Sequence, residues 1–213
     1  MYLPQHFEET RPVVLHQLLR AHPLGLLITL DQTGAPVANP IPFMLEAGRG
    51  PHGTLVGHVA RANPVWQSAG QAALVVFQGP EGYISPNGYP SKQQHGKVVP
   101  TWNYSCVQAR GPLVALDDAA ATHALVSRLT HRHEASQARP WAVDDAPADY
   151  VASLVKAIVC IEIRLTTLVG KYKLSQNRSA DDRAGLVAAL QAQGDGPAQA
   201  LAHSMQHPDG GPA

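Results

Sequence analysis

Residues 170–178, Gly-Lys-Tyr-Lys-Leu-Ser-Gln-Asn-Arg, bring three cations and a run of Ser, Gln and Asn side chains off one point of the chain. Cations at that density recognise a compact anion. Arg offers a two-pronged fork and Lys a point charge, and phosphate is the usual ligand of both. The candidate ligands are Lys173, Ser175, Gln176 and Arg178. Two upstream segments carry chemistry of the same kind. In Gly57-His58-Val59-Ala60-Arg61-Ala62-Asn63-Pro64 a strand ends and a helix begins, so backbone N–H groups and Arg61 are offered to an anion together. A helix cap and a solvated arginine account for the same spacing. In Thr101-Trp102-Asn103-Tyr104 the aromatics Trp102 and Tyr104 share one side of a strand, with Thr101 and Asn103 on the other. That arrangement suits a planar cofactor. Ordinary core with its polar residues turned to solvent is the plain alternative. Asn39-Pro40-Ile41-Pro42 is an extended segment along which a flat ring can lie; an edge strand guarded against aggregation explains its prolines as well.

Other chemistry is scarce. The chain has 11 histidines, and the densest group is His131-Arg132-His133-Glu134. It falls in a predicted helix, where residues two apart face different directions, so it makes no metal pair. His58 is the histidine that lies in a ligand-like segment. No nucleophile elbow, phosphate-cradling glycine loop or paired carboxylates occur.

The elements that must position these residues follow from periodicity and punctuation. A helix opens at Pro12 with a stripe of Val13, Leu15, Leu18 and Leu19, and His22-Pro23 ends it. Strands are predicted over 24–30, 36–45, 54–59, 72–77, around 83–85, over 107–116, and over 158–168 as the longest. Residues 79–86 read as a turn and 87–96 as a polar loop, serving as a lid or as a contact between copies. Asn63-Pro64 starts a short helix; further helices are predicted over 118–136, 147–155, 180–191 (capped by Ser179) and 197–205, with a frayed end at 210–213. Closely spaced strands without βαβ alternation exclude a Rossmann fold and predict an antiparallel sheet closed into a barrel.

The 213 residues predict one domain over 1–192, with helices inserted at 118–155 and a Gly-, Pro- and Ala-rich helical tail at 193–213. With 45% hydrophobic and only 15% charged residues, much of the surface is expected to be covered by a ligand or another subunit, or to be polar loop. Net charge is zero, which suits a single phosphate site better than a long duplex footprint. Cys106 and Cys160 read as buried free thiols in a reducing compartment. Neither a signal-peptide core nor a run near the ~20 apolar residues of a membrane span is found, so a soluble cytoplasmic protein is expected.

At these residues the chain resembles the PaiB-type family of FMN-binding negative transcriptional regulators, from Met1 to about Leu190. The markers include Tyr2-Leu3-Pro4, His22-Pro23-Leu24-Gly25, the whole 57–64 segment, Tyr83-Ile84-Ser85-Pro86, Gly96-Lys97-Val98-Val99-Pro100-Thr101-Trp102-Asn103-Tyr104 and Lys173-Leu174-Ser175-Gln176-Asn177-Arg178. Pro40, Cys160 and Asn87-Gly88 depart from the family pattern. The resemblance implies mainly β structure with peripheral helices, an antiparallel split β-barrel. It also implies a homodimer with FMN between subunits. By analogy Gly57, His58, Arg61 and Asn63 would hold the phosphate and ribityl chain, with Val59 in the same strand. Asn39, Pro40, Ile41 and Pro42 would run beside the ring, and Thr101, Trp102 and Asn103 would line the cleft. Lys173, Ser175, Gln176 and Arg178 would reach in from either subunit. The expected function is that of an FMN-binding regulatory protein, with DNA as a partner by resemblance only. The alternatives are a flavin-dependent oxidoreductase using NAD(P)H and a haem-handling split-barrel protein.

Overall fold

The computed structural model describes residues 1–209; the predicted frayed end at 210–213 lies outside them. The strands are β1 (Glu8–Glu9), β2 (Leu24–Leu30), β3 (Pro36–Pro42), β4 (Met44–Glu46), β5 (Thr54–Ala60), β6 (Ala72–Ile84), β7 (Thr101–Leu116), β8 (Ile158–Arg164) and β9 (Thr167–Lys173). The helices are α1 (Pro12–Ala21), α2 (Ser91–His95), α3 (Ala119–Glu134), α4 (Ala148–Lys156), α5 (Ala180–Gln193) and α6 (Gly196–Gln206). The strands form one sheet in the order β3-β2-β6-β7-β8-β5-β4, with β9 paired to β1 and β7. The path ends at β3 and β4, so the sheet is open, as in a split barrel. The fully closed barrel predicted from strand spacing is corrected here. Pro36, Pro40 and Pro42 give β3 no N–H at those positions, and it pairs with β2 as a sheet edge.

By compactness the chain divides into two units. One comprises Met1–His22, Phe77–Gln108 and the chain from Val169 onward; the other comprises Pro23–Val76 and Ala109–Leu168. In the first, α1 starts with Pro12 in the first turn and buries Val14, Leu15, Leu18 and Leu19. Val13, expected in that stripe, is exposed instead. The antiparallel β1–β9 ladder runs beneath α1: a Cβ at Gly170 would meet Leu15 Cδ2 at 2.3 Å and the Glu9 carbonyl at 3.0 Å. Helix α5 is capped by Ser179, whose hydroxyl accepts from the Asp182 N–H. Helix α6 buries Leu201, Ala202 and Met205 and is part of this unit's core. The predicted polar loop at 87–96 contains α2, with Ser91 tied to Asp182 of α5 through Oγ at 2.9 Å.

In the second unit β5 pairs antiparallel with β8 along its length, and β4 extends that ladder. The predicted 158–168 strand divides into β8 and β9, because the chain breaks from the ladder at Leu165-Thr166. There Gly111 of β7 lies against the Arg164 carbonyl, where an added Cβ would sit only 1.9 Å from the oxygen, and the Thr166 N–H bonds the Arg110 carbonyl at 2.8 Å. The longest strand is therefore β7, at 16 residues. The predicted turn at 79–86 is also corrected: β6 continues through Gly79-Pro80 to Ile84. Gly79 serves close packing, since its Cβ would lie 3.1 Å from Leu18 Cδ1 and 3.2 Å from Ser105 Cβ.

Candidate functional site

The sequence-predicted site residues divide between the two units. The first unit holds Thr101, Trp102 and Asn103 on β7, and Lys173, Ser175, Gln176 and Arg178 on and after the end of β9. Within it the structure brings most of these together. Lys173 Nζ donates to Thr101 Oγ1 at 2.6 Å and to the Trp102 carbonyl at 2.5 Å. Asn103 Nδ2 donates to Ser175 Oγ at 2.9 Å. Ser175 holds a left-handed backbone with φ 64°, the one non-glycine residue to do so among those described. Gln176 closes the turn around it: its Oε1 accepts from the Leu174 N–H and its Nε2 donates to the Tyr172 carbonyl. Gln176 therefore shapes the turn with both ends of its amide. Asn103 is fully buried and its Oδ1 has no partner, while Trp102 is 49% exposed. This reverses the plain expectation of an aromatic core with polar residues facing solvent. Trp102 is held by its Nε1, which donates to Glu81, and by edge contact with Tyr83.

The electrostatics of this corner are those of a cation cluster, in which the Asp182 carboxylate acts on Arg178 from beyond ion-pair distance. Lys171 donates to the Tyr2 carbonyl at 3.0 Å and lies over the Tyr2 and Tyr104 rings, and Arg178 lies over the Tyr89 ring at 5.1 Å. None of the described carboxylates forms an ion pair with Lys171, Lys173 or Arg178. Burial, and after it the nearby charges of Lys171 and Arg178, push the Lys173 ammonium below its ordinary value. An anion placed there would relieve that repulsion.

The second unit holds Asn39, Pro40, Ile41, Pro42, Gly57, His58, Val59, Arg61 and Asn63. Asn39 and Asn63 meet: Asn63 Nδ2 donates to Asn39 Oδ1 at 2.9 Å, and Asn63 Oδ1 caps the 3-10 turn Pro64–Ser68 by accepting from the Val65 N–H. That leaves Asn39 Nδ2 buried with no partner. Both amides line a cleft of about 530 Å³, together with Thr29, Gln67, Ser68 and Gln71. Sequence reasoning missed these last four, whose types and spacing carry no motif. Pro40 and Pro42 are exposed, whereas Ile41 is buried. Gly57 and Val59 are buried too. Gly57 admits the β3 end, its Cβ position lying 3.0 Å from the Pro42 carbonyl. His58 faces the other side of β5; burial lowers its pKa, and its Nδ1 is buried without a partner.

Arg61 is heavily engaged. Its fork pairs with Asp117 at 2.8 and 2.6 Å, and its Nε donates to the Lys156 carbonyl at 2.8 Å. The Asp117 pairing raises the Arg61 pKa and lowers that of Asp117. Here Arg61 staples the end of β5 to the turn between α4 and β8. Sequence reasoning missed Asp117, which lies 56 residues from Arg61. Cys106 and Cys160 are buried free thiols, and burial raises both pKa values. Among the described residues no group of three or more His, Cys, Asp or Glu is placed to hold a metal ion.

Comparison with known proteins identifies the lineage of this arrangement. The family model described as "Putative FMN-binding domain" matches residues 1–167. An uncharacterized protein of Emericella nidulans is 34% identical over 97% of this chain and 96% of its own. The Bacillus subtilis protein named "Protease synthase and sporulation protein PAI 2" is 30% identical over 97% of both chains. Among solved structures, the FAD and haem binding protein from Mycobacterium smegmatis has a TM-score of 0.58 at 20% identity, over 83% of this chain and 78% of its own. The flavocytochrome Anf3 from Azotobacter vinelandii has a TM-score of 0.58 at 14% identity, over 86% and 78%. At those identities the two structures establish the fold alone. The match over residues 1–167 and the full-length Bacillus relative establish more: the chain belongs to the PaiB-like family of FMN-binding domain proteins.

Proposed function

We propose that the protein is an FMN-binding regulatory protein, and that the cation cluster of the first unit holds the FMN phosphate. The observation that carries this reading is the set of Lys171, Lys173 and Arg178, bonded to carbonyls, a hydroxyl and rings but paired with no described carboxylate. A phosphate supplies the missing charge, and Lys173 with Ser175 supplies donors to its oxygens. When bound, FMN supplies redox chemistry through its ring; the residues named here bind and orient it. Purified protein should show flavin absorbance bands. Quenching of FMN fluorescence should report an affinity that Lys173→Gln weakens about tenfold or more, from a charge-assisted contact of ~1.5–3 kcal/mol. Wild-type affinity in a variant with unchanged circular dichroism would remove the assignment.

The regulatory role rests on kinship with the Bacillus protein, whose name links it to protease synthesis and sporulation. Titration against promoter and scrambled DNA at one fixed physiological salt checks direct repression, which requires preference for the promoter. Equal weak binding to both would leave regulation to the flavin site. We also propose a homodimer, supported by an apolar sheet face in the second unit. Leu24, Leu26, Ile28 and Leu30 of β2 are register partners of Pro42, Pro40, Ala38 and Pro36 of β3, so all eight share one face with no polar side chain. On it Leu24 is 62% exposed and Leu30 50%. A two-strand apolar face of that kind marks an association surface. A second copy suits it, because a chain with 15% charged residues is poor in charge to cover it otherwise.

A further inference from the structure

In the second unit, α4 is amphipathic: Val151, Leu154 and Val155 fall three and four residues apart, on one face. Such a stripe ordinarily packs into a core, yet no residue of α4 is buried, and Leu154 is 48% exposed. The three line a cavity of about 120 Å³, together with Val126 of α3 and the rings of Trp141 and Tyr150. Among its described lining residues there is no carboxylate, amide, lysine or arginine. His123 of α3 stands where this cavity meets a wider cleft of about 480 Å³, since both spaces share it with Ala146, Val151 and Val155. Its Nε2 lies 3.7 Å from Asp144 Oδ1, so an imidazole beside an acid marks the junction. Cavities on the order of 150 Å³ lined by aliphatic and aromatic side chains take up benzene-sized molecules. Side chains that leave such a space unfilled forfeit dispersion contacts, which a ring of the right size restores.

We propose that this cavity binds a small neutral molecule with one aromatic ring, the ring against Val126, Val151 and Leu154 and a single hydroxyl or comparable group toward His123. None of the residues proposed to hold FMN lines it, so the binding is independent of the flavin reading. Calorimetry on the full chain, with and without saturating FMN, uses phenol as the probe and toluene as its counterpart without the hydroxyl. Saturable phenol binding is expected at one site per chain in both conditions. His123→Leu should weaken phenol about threefold to tenfold and leave toluene unchanged. Ala146→Leu and Val126→Phe, which put bulk into the cavity, should each weaken both probes at least tenfold. Phenol should raise the melting temperature of wild type and not of these two variants. All three variants should keep wild-type FMN affinity. Heat from wild type that does not saturate, undiminished phenol binding in both filled variants, or phenol and toluene affinities that respond alike to His123→Leu would each overturn the proposal.

Discussion

Asn103 shows what a sequence conceals about a single residue. Its type and strand register were readable, but its complete burial against Ser175 was not, because the partner lies 72 residues away. The same holds for Arg61, whose chemistry suggested an anion and whose fork is filled by Asp117. Residue types were legible; their partners depend on tertiary contacts. His58 carries a prediction at this scale. Burial lowers its pKa below the ordinary 6.5, so below that pH the unfolded chain binds more protons than the folded one. Stability therefore falls as pH drops through 6.5 and on through the lowered value. His22 acts in the same direction, whereas Glu46 and Asp117, both lowered, act only nearer pH 4 and below. In flavin-free protein, His58→Gln should flatten the fall in melting temperature between pH 7.5 and 5.5 by roughly 2 °C. An unchanged slope by scanning calorimetry would show that His58 does not titrate differently on folding.

Elements were more legible than residues where local signals agree. Pro12, Asn63-Pro64 and Ser179 mark real starts, and β2 and the end of β7 lie where strands were expected over 24–30 and 107–116. The miss at 79–86 has a plain cause: Gly79 and Pro80 read as a turn where they lie within β6, Gly79 in close packing. Gly111, read inside its strand, does lie within β7, against the Arg164 carbonyl. Gly111→Ala places a methyl group at 1.9 Å from that oxygen, so β7 and the end of β8 must part. A loss of about 3 kcal/mol is expected from urea unfolding. A variant within ~0.5 kcal/mol of wild type would mean the two strands can separate freely.

At the scale of the whole molecule, the antiparallel, helix-flanked sheet was foreseen from strand spacing and resemblance, and its split form from resemblance alone; that it opens between β3 and β4 is seen only in the structure. Strand spacing cannot say which edges remain unpaired; the prolines of β3 supply that. Association is the testable property here. Leu26→Arg puts a charge at the centre of the β2–β3 apolar face without touching the buried side of β2. Sedimentation velocity should show wild type as a dimer and the variant shifted to monomer by at least tenfold in dissociation constant. A variant that stays dimeric would place the interface elsewhere.

The two compact units are each assembled from separated stretches of polypeptide, and β6 and β7 belong partly to one and partly to the other. No single cut in the gene can therefore liberate either unit as a continuous fragment. Truncations that stop near residue 108 or begin near 169 would sever strands mid-length. Dissecting this protein requires circular permutation or point substitution, and ribosomal synthesis must reach beyond Val169 before the first unit has all its parts.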